Sequence, residues 1–212
     1  MIVLLHSGIT DARQWARELR EWPVAASAPD VHGFELDEAA VLVGNSYGGR
    51  IALERAVEQP ALVRGLVLVA PALPGTELSA ELAAIDAKEE ELVEAGHLDD
   101  AAQLMVETWV PGAPAAVQQY VHEAQARAYT LPWTPPVRLD PPVADRLAEV
   151  RAPVLLVEGE LDRPEFRSIL DRLERELPDV RGRVRIPGAH HLPNLESPAA
   201  FDAAVLPFLA TL

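Results

Sequence analysis

Short, continuously apolar runs punctuate the chain: Ile2 to Leu5, Ala40 to Val43, Leu66 to Ala70 and Val154 to Val157, with weaker ones near Val24 to Ala26 and Val184 to Ile186. The four clearest do not alternate with polar positions, which predicts β-strands buried on both faces of a sheet. Between them lie longer amphipathic stretches that predict helices from Asp11 to Glu21, Tyr47 to Glu58, Pro164 to Glu176 and Pro198 to Ala210, the first capped by Thr10 or Asp11. Strand and helix therefore alternate, the signature of a mostly parallel sheet of about six strands. The pattern breaks after Leu73. Up to about Asp140 no strand is expected, only acidic, alanine-rich helical segments at roughly Ser79 to Ala95, Leu98 to Trp109 and Ala115 to Tyr129. The stretch Leu131 to Pro142, with Pro132, Pro135, Pro136, Pro141 and Pro142, then leads back to the sheet. The expected organisation is one domain over residues 1–212, its core at 1–72 and 141–212 and a helical cap at 73–140.

Charge and composition narrow the chemistry. The 18 basic and 33 acidic residues give a net charge of −15, which repels phosphate backbones and anionic membrane surfaces. Without a single cysteine, disulfides, thiolate nucleophiles and cysteine metal sites are excluded, and no His-Glu-x-x-His metal spacing occurs. No apolar run approaches the roughly 20 residues that cross a bilayer, and the start, Met1 to His6, does not read as a signal peptide. The expectation is a cytoplasmic protein with neither a nucleic-acid nor a membrane partner.

One segment carries reactive character. In Val41-Leu-Val-Gly-Asn-Ser-Tyr-Gly-Gly49 an apolar strand runs through Ser46 into a helix. A nucleophile on so sharp a strand-to-helix turn needs strained backbone angles and small neighbours two residues to either side, where Gly44 and Gly48 stand. The same glycines would also suit an ordinary turn with an N-capping serine.

This segment resembles the nucleophile elbow of the α/β-hydrolase family, and the rest of the chain fits that pattern. By the resemblance Ser46 is the nucleophile. His6-Ser7-Gly8 after the first strand, followed by Trp15, resembles the oxyanion loop, so that the backbone N–H of Gly8, or else Ile9, would act with that of Tyr47. Glu158-Gly-Glu-Leu-Asp162 resembles the turn delivering the acid, implying Asp162 over the competing Glu158 and Glu160. Ala189-His-His-Leu-Pro-Asn-Leu-Glu196 resembles the histidine loop in the register that selects His191 over His190. The order Ser46, Asp162, His191 is the family's own. The implied activity is hydrolysis of a small carboxylic ester or lactone with no cofactor and no metal. The elbow also resembles that of C–C bond hydrolases of ring-cleavage products, and a ligand-binding relative without turnover is a further reading. Trp109, Trp133, Tyr120, Tyr129, Leu104 and Met105 could line an apolar pocket or simply pack the cap.

Two departures from the family stand out. The two strands that usually precede the oxyanion strand have no counterpart, and only 13 residues, Ser27 to Ala39, separate the second strand from the nucleophile strand. A parallel crossover needs about a dozen residues or more, so its helix is expected to be vestigial or missing. The exposed sheet would then be covered by the cap or a second subunit, which makes a homodimer one expected partner arrangement.

Overall fold

The structure, a computed structural model, describes residues 1–132 and 139–212. Among the described residues six strands form one wholly parallel sheet: β1 (Ile2–Leu5), β2 (Ala26–Ser27), β3 (Ala40–Asn45), β4 (Val63–Val69), β5 (Val154–Gly159) and β6 (Val180–Ile186), in the spatial order β2-β1-β3-β4-β5-β6. The apolar runs are explained by strict division of labour between the faces. Val3, Leu5, Leu42, Leu66, Leu68, Val154 and Leu156 enter one hydrophobic cluster. Their neighbours Ile2, Leu4, Val41, Val43, Val67, Val69, Leu155 and Val157 enter another. Each of these residues in the central strands is thus buried on one side or the other, leaving no polar alternation there to see.

Helices α2 (Tyr47–Glu58) and α6 (Pro164–Glu176) pack on the first face through residues such as Ile51, Leu53, Ile169, Leu170 and Leu173. The second face is covered by a 3-10 turn (Ala12–Trp15) running into α1 (Ala16–Glu21), and by α8 (Pro198–Leu209). Trp15 and Trp22 meet Phe201 there, with ring centroids 6.1 and 6.4 Å apart. Asp11 caps the 3-10 turn by accepting the Arg13 N–H. Between β4 and β5 the chain forms α3 (Ala80–Glu94), α4 (Leu98–Trp109) and α5 (Ala115–Ala128), close to the expected spans, and a one-turn helix, α7 (Pro193–Glu196), precedes α8.

The boundaries differ where a local feature disguised the strand. β2 lies at 26–27 rather than near 24–26, with Val24 exposed instead of paired. β4 starts at Val63, three residues early, because Arg64 and Gly65 interrupt an apolar run whose backbone still pairs with β3. β6 extends back to Val180 because Arg181, Arg183 and Arg185 hide a strand in charged sequence.

No helix forms between Ala28 and Ala39. The expected gap is nevertheless largely filled by the loop itself: Val31 and Leu36 are buried in the first cluster, and Phe34 packs against it. Covering therefore comes in part from the crossover rather than from the cap or another subunit.

Candidate active site

In the order β2-β1-β3 the connections reverse direction between β1 and β3, and in open parallel sheets ligands bind beyond the carboxyl ends of strands at such a point. The loop after β1 carries Gly8, the turn after β3 carries Ser46, and the loops after β5 and β6 carry Asp162 and His191.

Ser46 has φ 53° and ψ −113°, a left-handed conformation that non-glycine residues rarely adopt. The surroundings hold it there: its N–H donates to the Val69 carbonyl (2.9 Å), and its own carbonyl accepts from Arg50 (3.0 Å) and Ala72 (2.9 Å). The expected need for small neighbours is met literally. A Cβ on Gly44 would fall 2.4 Å from the Gly48 carbonyl oxygen, and one on Gly48 would fall 2.3 Å from that of Leu5.

Tyr47 opens α2, so its N–H lacks a partner within the helix. Across from it, the Ser7 carbonyl is pinned by two donors, His6 Nδ1 (2.8 Å) and the Thr10 N–H (3.2 Å). Since a trans peptide points its N–H opposite to its carbonyl, the Gly8 N–H faces away from those donors. It has no acceptor among the described residues, whereas the Ile9 N–H is turned toward Ser7 Oγ at 3.4 Å. A Cβ on Gly8 would sit 3.6 Å from Tyr47 Cβ, so the two peptides are close neighbours.

Of the three candidate acids, only Asp162 reaches the histidine. Its oxygens lie 3.0 and 3.1 Å from His191 Nδ1, with both residues buried. Glu158 instead accepts from Arg183 Nε (3.0 Å) and Arg185 Nη2 (3.3 Å), and Glu160 accepts the Gly188 N–H (2.9 Å). The approach of the two loops depends on Gly159, where a Cβ would lie 1.8 Å from the His190 carbonyl oxygen. With Nδ1 donating to the carboxylate, the imidazole leaves Nε2 as its acceptor. Neither Nε2 nor the Ser46 hydroxyl has a hydrogen-bond partner among the described residues. His190 turns away and, with its backbone N–H, binds Glu196 Oε2 (2.8 and 2.9 Å). Glu196 Oε1 accepts the Leu192 N–H (2.9 Å), so one carboxylate brackets His191 from both sides in sequence.

The helices after β4 contribute Trp109, whose ring is 4.7 Å from the His191 imidazole, while Phe166 of α6 lies 4.4 Å from it. Of the described members of the aromatic set considered for a pocket, Trp109 is the one in ring contact with His191. Tyr120 Oη is spent on the Asp11 carbonyl (3.1 Å) and Tyr129 Oη on Glu89 (2.5 Å). Met105 is buried, Leu104 is half-buried, and Trp133, like Pro135 and Pro136, lies outside the described residues. A cleft of about 280 Å³ opens beside Trp109, Asp162 and His190. His6 is buried and its pKa is lowered, chiefly by burial, with its bond to Ser7 opposing. Among the described residues there is no cluster of three or more metal-ligating side chains, and no helix is long and apolar enough to cross a membrane.

Sequence reasoning did not single out Gln14, Asn45 or Asn194, three buried amides of which Gln14 bonds to the other two beneath these loops. Asn45 stood inside the elbow motif, but nothing in the sequence pattern marked Gln14.

A parallel sheet wrapped on both faces, a strained serine after its third strand and an aspartate-bound histidine beyond its fifth and sixth define the α/β-hydrolase architecture. Residues 4–204 match the Alpha/beta hydrolase family, and the chain belongs to it. No curated protein sequence matches. Among solved structures, the chain is similar to the carboxylesterase CesB (YbfK) from Bacillus subtilis, with 18% identity, a TM-score of 0.76, and coverage of 100% of this chain and 84% of that one. It is also similar to MenH from S. aureus (18% identity, TM-score 0.73, 99% and 93% covered). A thermophilic esterase from Thermogutta terrifontis has 19% identity and a TM-score of 0.72, with 99% and 89% covered. At these identities the likeness is one of fold.

Proposed function

We propose that the protein is a serine hydrolase that cleaves small carboxylic esters or lactones through an acyl-enzyme. The observation that carries the reading is the pairing of Asp162 with His191 Nδ1, together with a serine held at φ 53° on the turn after β3, at the same carboxyl end of the sheet. Ser46 Oγ bonds to the acyl carbon while its proton passes to His191 Nε2. The N–H groups of Gly8 and Tyr47 hold the oxyanion, each such donor being worth on the order of 10²–10³ in rate. The imidazolium then protonates the departing alcohol, and water, deprotonated by the same nitrogen, releases the acid. Asp162 orients the ring and stabilises its charge without taking the proton. Catalytic serine–histidine hydrogen bonds are often long in free enzymes and tighten on substrate binding, which accommodates the unpaired Ser46 hydroxyl.

Helices α3–α5 serve as the cap. With Trp109 and Phe166 against the base and a net charge of −15, the site suits an uncharged, apolar acyl group over an anionic one. The esterase names of two of the similar structures point the same way.

The test is hydrolysis of p-nitrophenyl acetate and butyrate by the wild type and Ser46→Ala, with fluorophosphonate labelling mapped to its peptide. Turnover and label that both disappear in the variant are the expected result; a wild type that neither turns over nor labels refutes it. The unpaired hydroxyl also gives the ligand-binding reading a specific basis. That reading predicts a single slow acylation of Ser46 without steady turnover.

A further inference from the structure

Gln14 is completely buried at the end of the 3-10 turn, and every hydrogen-bonding site of its amide is used. Oε1 accepts from the Ser7 N–H (2.8 Å) and from Thr10 Oγ1 (2.6 Å), both in the loop that carries Gly8. Nε2 donates to Asn45 Oδ1 (2.8 Å) and Asn194 Oδ1 (3.2 Å). Asn45 immediately precedes Ser46, and its own amide donates to the Val69 carbonyl (3.0 Å) and to the carbonyl of His191 (3.2 Å). Asn194, three residues beyond His191, donates back to the Gln14 carbonyl (3.2 Å). One side chain therefore ties together the loops holding the oxyanion donor, the nucleophile and the base, which come from three different strands.

We propose that Gln14 is a positioning residue that sets the mutual register of Gly8, Ser46 and His191. This rests on the hydrolase reading above. A buried amide serves this purpose better than an apolar side chain because its bonds are directional and each partner would be left unsatisfied without it. Its two halves act separately: the oxygen fixes the Ser7–Gly8 region, and the nitrogen fixes the Asn45–Ser46 turn and, through Asn45 and Asn194, the histidine loop. A displacement of the order of 1 Å between reacting groups costs about 100-fold in rate, and that loss belongs in kcat because substrate contacts are untouched.

Gln14→Leu and Gln14→Glu are compared with the wild type in p-nitrophenyl butyrate hydrolysis, each variant held well below its melting temperature and checked for folding by circular dichroism. Gln14→Leu is expected to lose about 100-fold in kcat with KM changed less than about threefold. Gln14→Glu keeps the acceptor half. Its carboxyl can donate to Asn45 only when protonated, so its kcat relative to the wild type is expected to rise as pH falls from about 8 to 5.5. A merely structural residue would lower the melting temperature and leave both readouts unchanged. Folded Gln14→Leu with kcat within about threefold of the wild type overturns the proposal, as does a pH-independent ratio for Gln14→Glu should the leucine variant fail to fold. Either result leaves the hydrolase reading standing if wild-type turnover depends on Ser46. A wild type without turnover overturns both.

Discussion

The backbone at Ser46 stores strain that can be measured apart from catalysis. A non-glycine residue at φ 53°, ψ −113° costs on the order of 1–3 kcal/mol, here sustained by the hydrogen bonds to Val69, Arg50 and Ala72. Ser46→Gly relieves it, but glycine gains freedom in the unfolded chain worth roughly 0.5–1 kcal/mol. The net stabilisation is then about 1 kcal/mol, or a rise of about 2–4 °C in the melting temperature for a chain of this length. Ser46→Ala keeps the Cβ and therefore the strain. Since the hydroxyl has no partner among the described residues, that variant should melt close to the wild type. Thermal denaturation of the three proteins followed by circular dichroism gives the ordering, with Ser46→Gly expected highest although it lacks the hydroxyl. Should Ser46→Gly melt at or below Ser46→Ala, the turn is not strained in the way its dihedral angles imply.

Three further outcomes follow from the same contacts. Asp162→Asn, which can no longer hold the imidazole in the required tautomer, is expected to lower kcat by about 10⁴-fold, whereas Glu158→Gln, whose partners are arginines, should lower it less than about tenfold. Steady-state hydrolysis separates them. Glu196→Ala removes the carboxylate that grips the N–H groups of His190 and Leu192; at about 1.5–3 kcal/mol for a hydrogen bond to a charged group, chemical denaturation should show a loss of at least about 2 kcal/mol. His6 is neutral in the fold, donating from Nδ1 to Ser7 and accepting the Val31 N–H on Nε2 (3.3 Å), and burial lowers its pKa. The unfolded state then binds the extra proton, so stability is fully present above the ordinary histidine value of about 6.5 and is lost as pH falls through it. Urea titrations at about pH 7.5 and 5.5 should show a smaller decrease for His6→Gln than for the wild type.

How much of this was legible in the sequence depends on whether the cause is local. Helices α2 and α6 fall where their patterns place them, because one face of each meets a sheet and the chain supplies its own terminators. The elbow is legible because its requirements, a strand, two close approaches and a helix, are satisfied within nine residues. Asp162 and His191 were separable from Glu158, Glu160 and His190 only by resemblance, and their pairing is a tertiary fact. Where strand pairing runs through charged residues, as at Arg181, Arg183 and Arg185, hydropathy misses it, since those guanidinium groups are carried on a strand that closes one side of the sheet. Gln14 was illegible for a deeper reason. A polar residue in a helical pattern reads as solvent-facing, and only the meeting of three distant loops shows that it is completely buried.

The two outermost strands bear on how this molecule can associate. A long, flat, uncharged outer strand is a template on which another chain can add by backbone pairing. Here one border, β2, offers two residues, too few for a stable ladder. The other, β6, is seven residues long but sets an arginine at every second position, with Arg183 and Arg185 drawn onto Glu158. An incoming strand would have to settle beside that row of long, ion-paired side chains. Both borders thus discourage sheet extension between molecules.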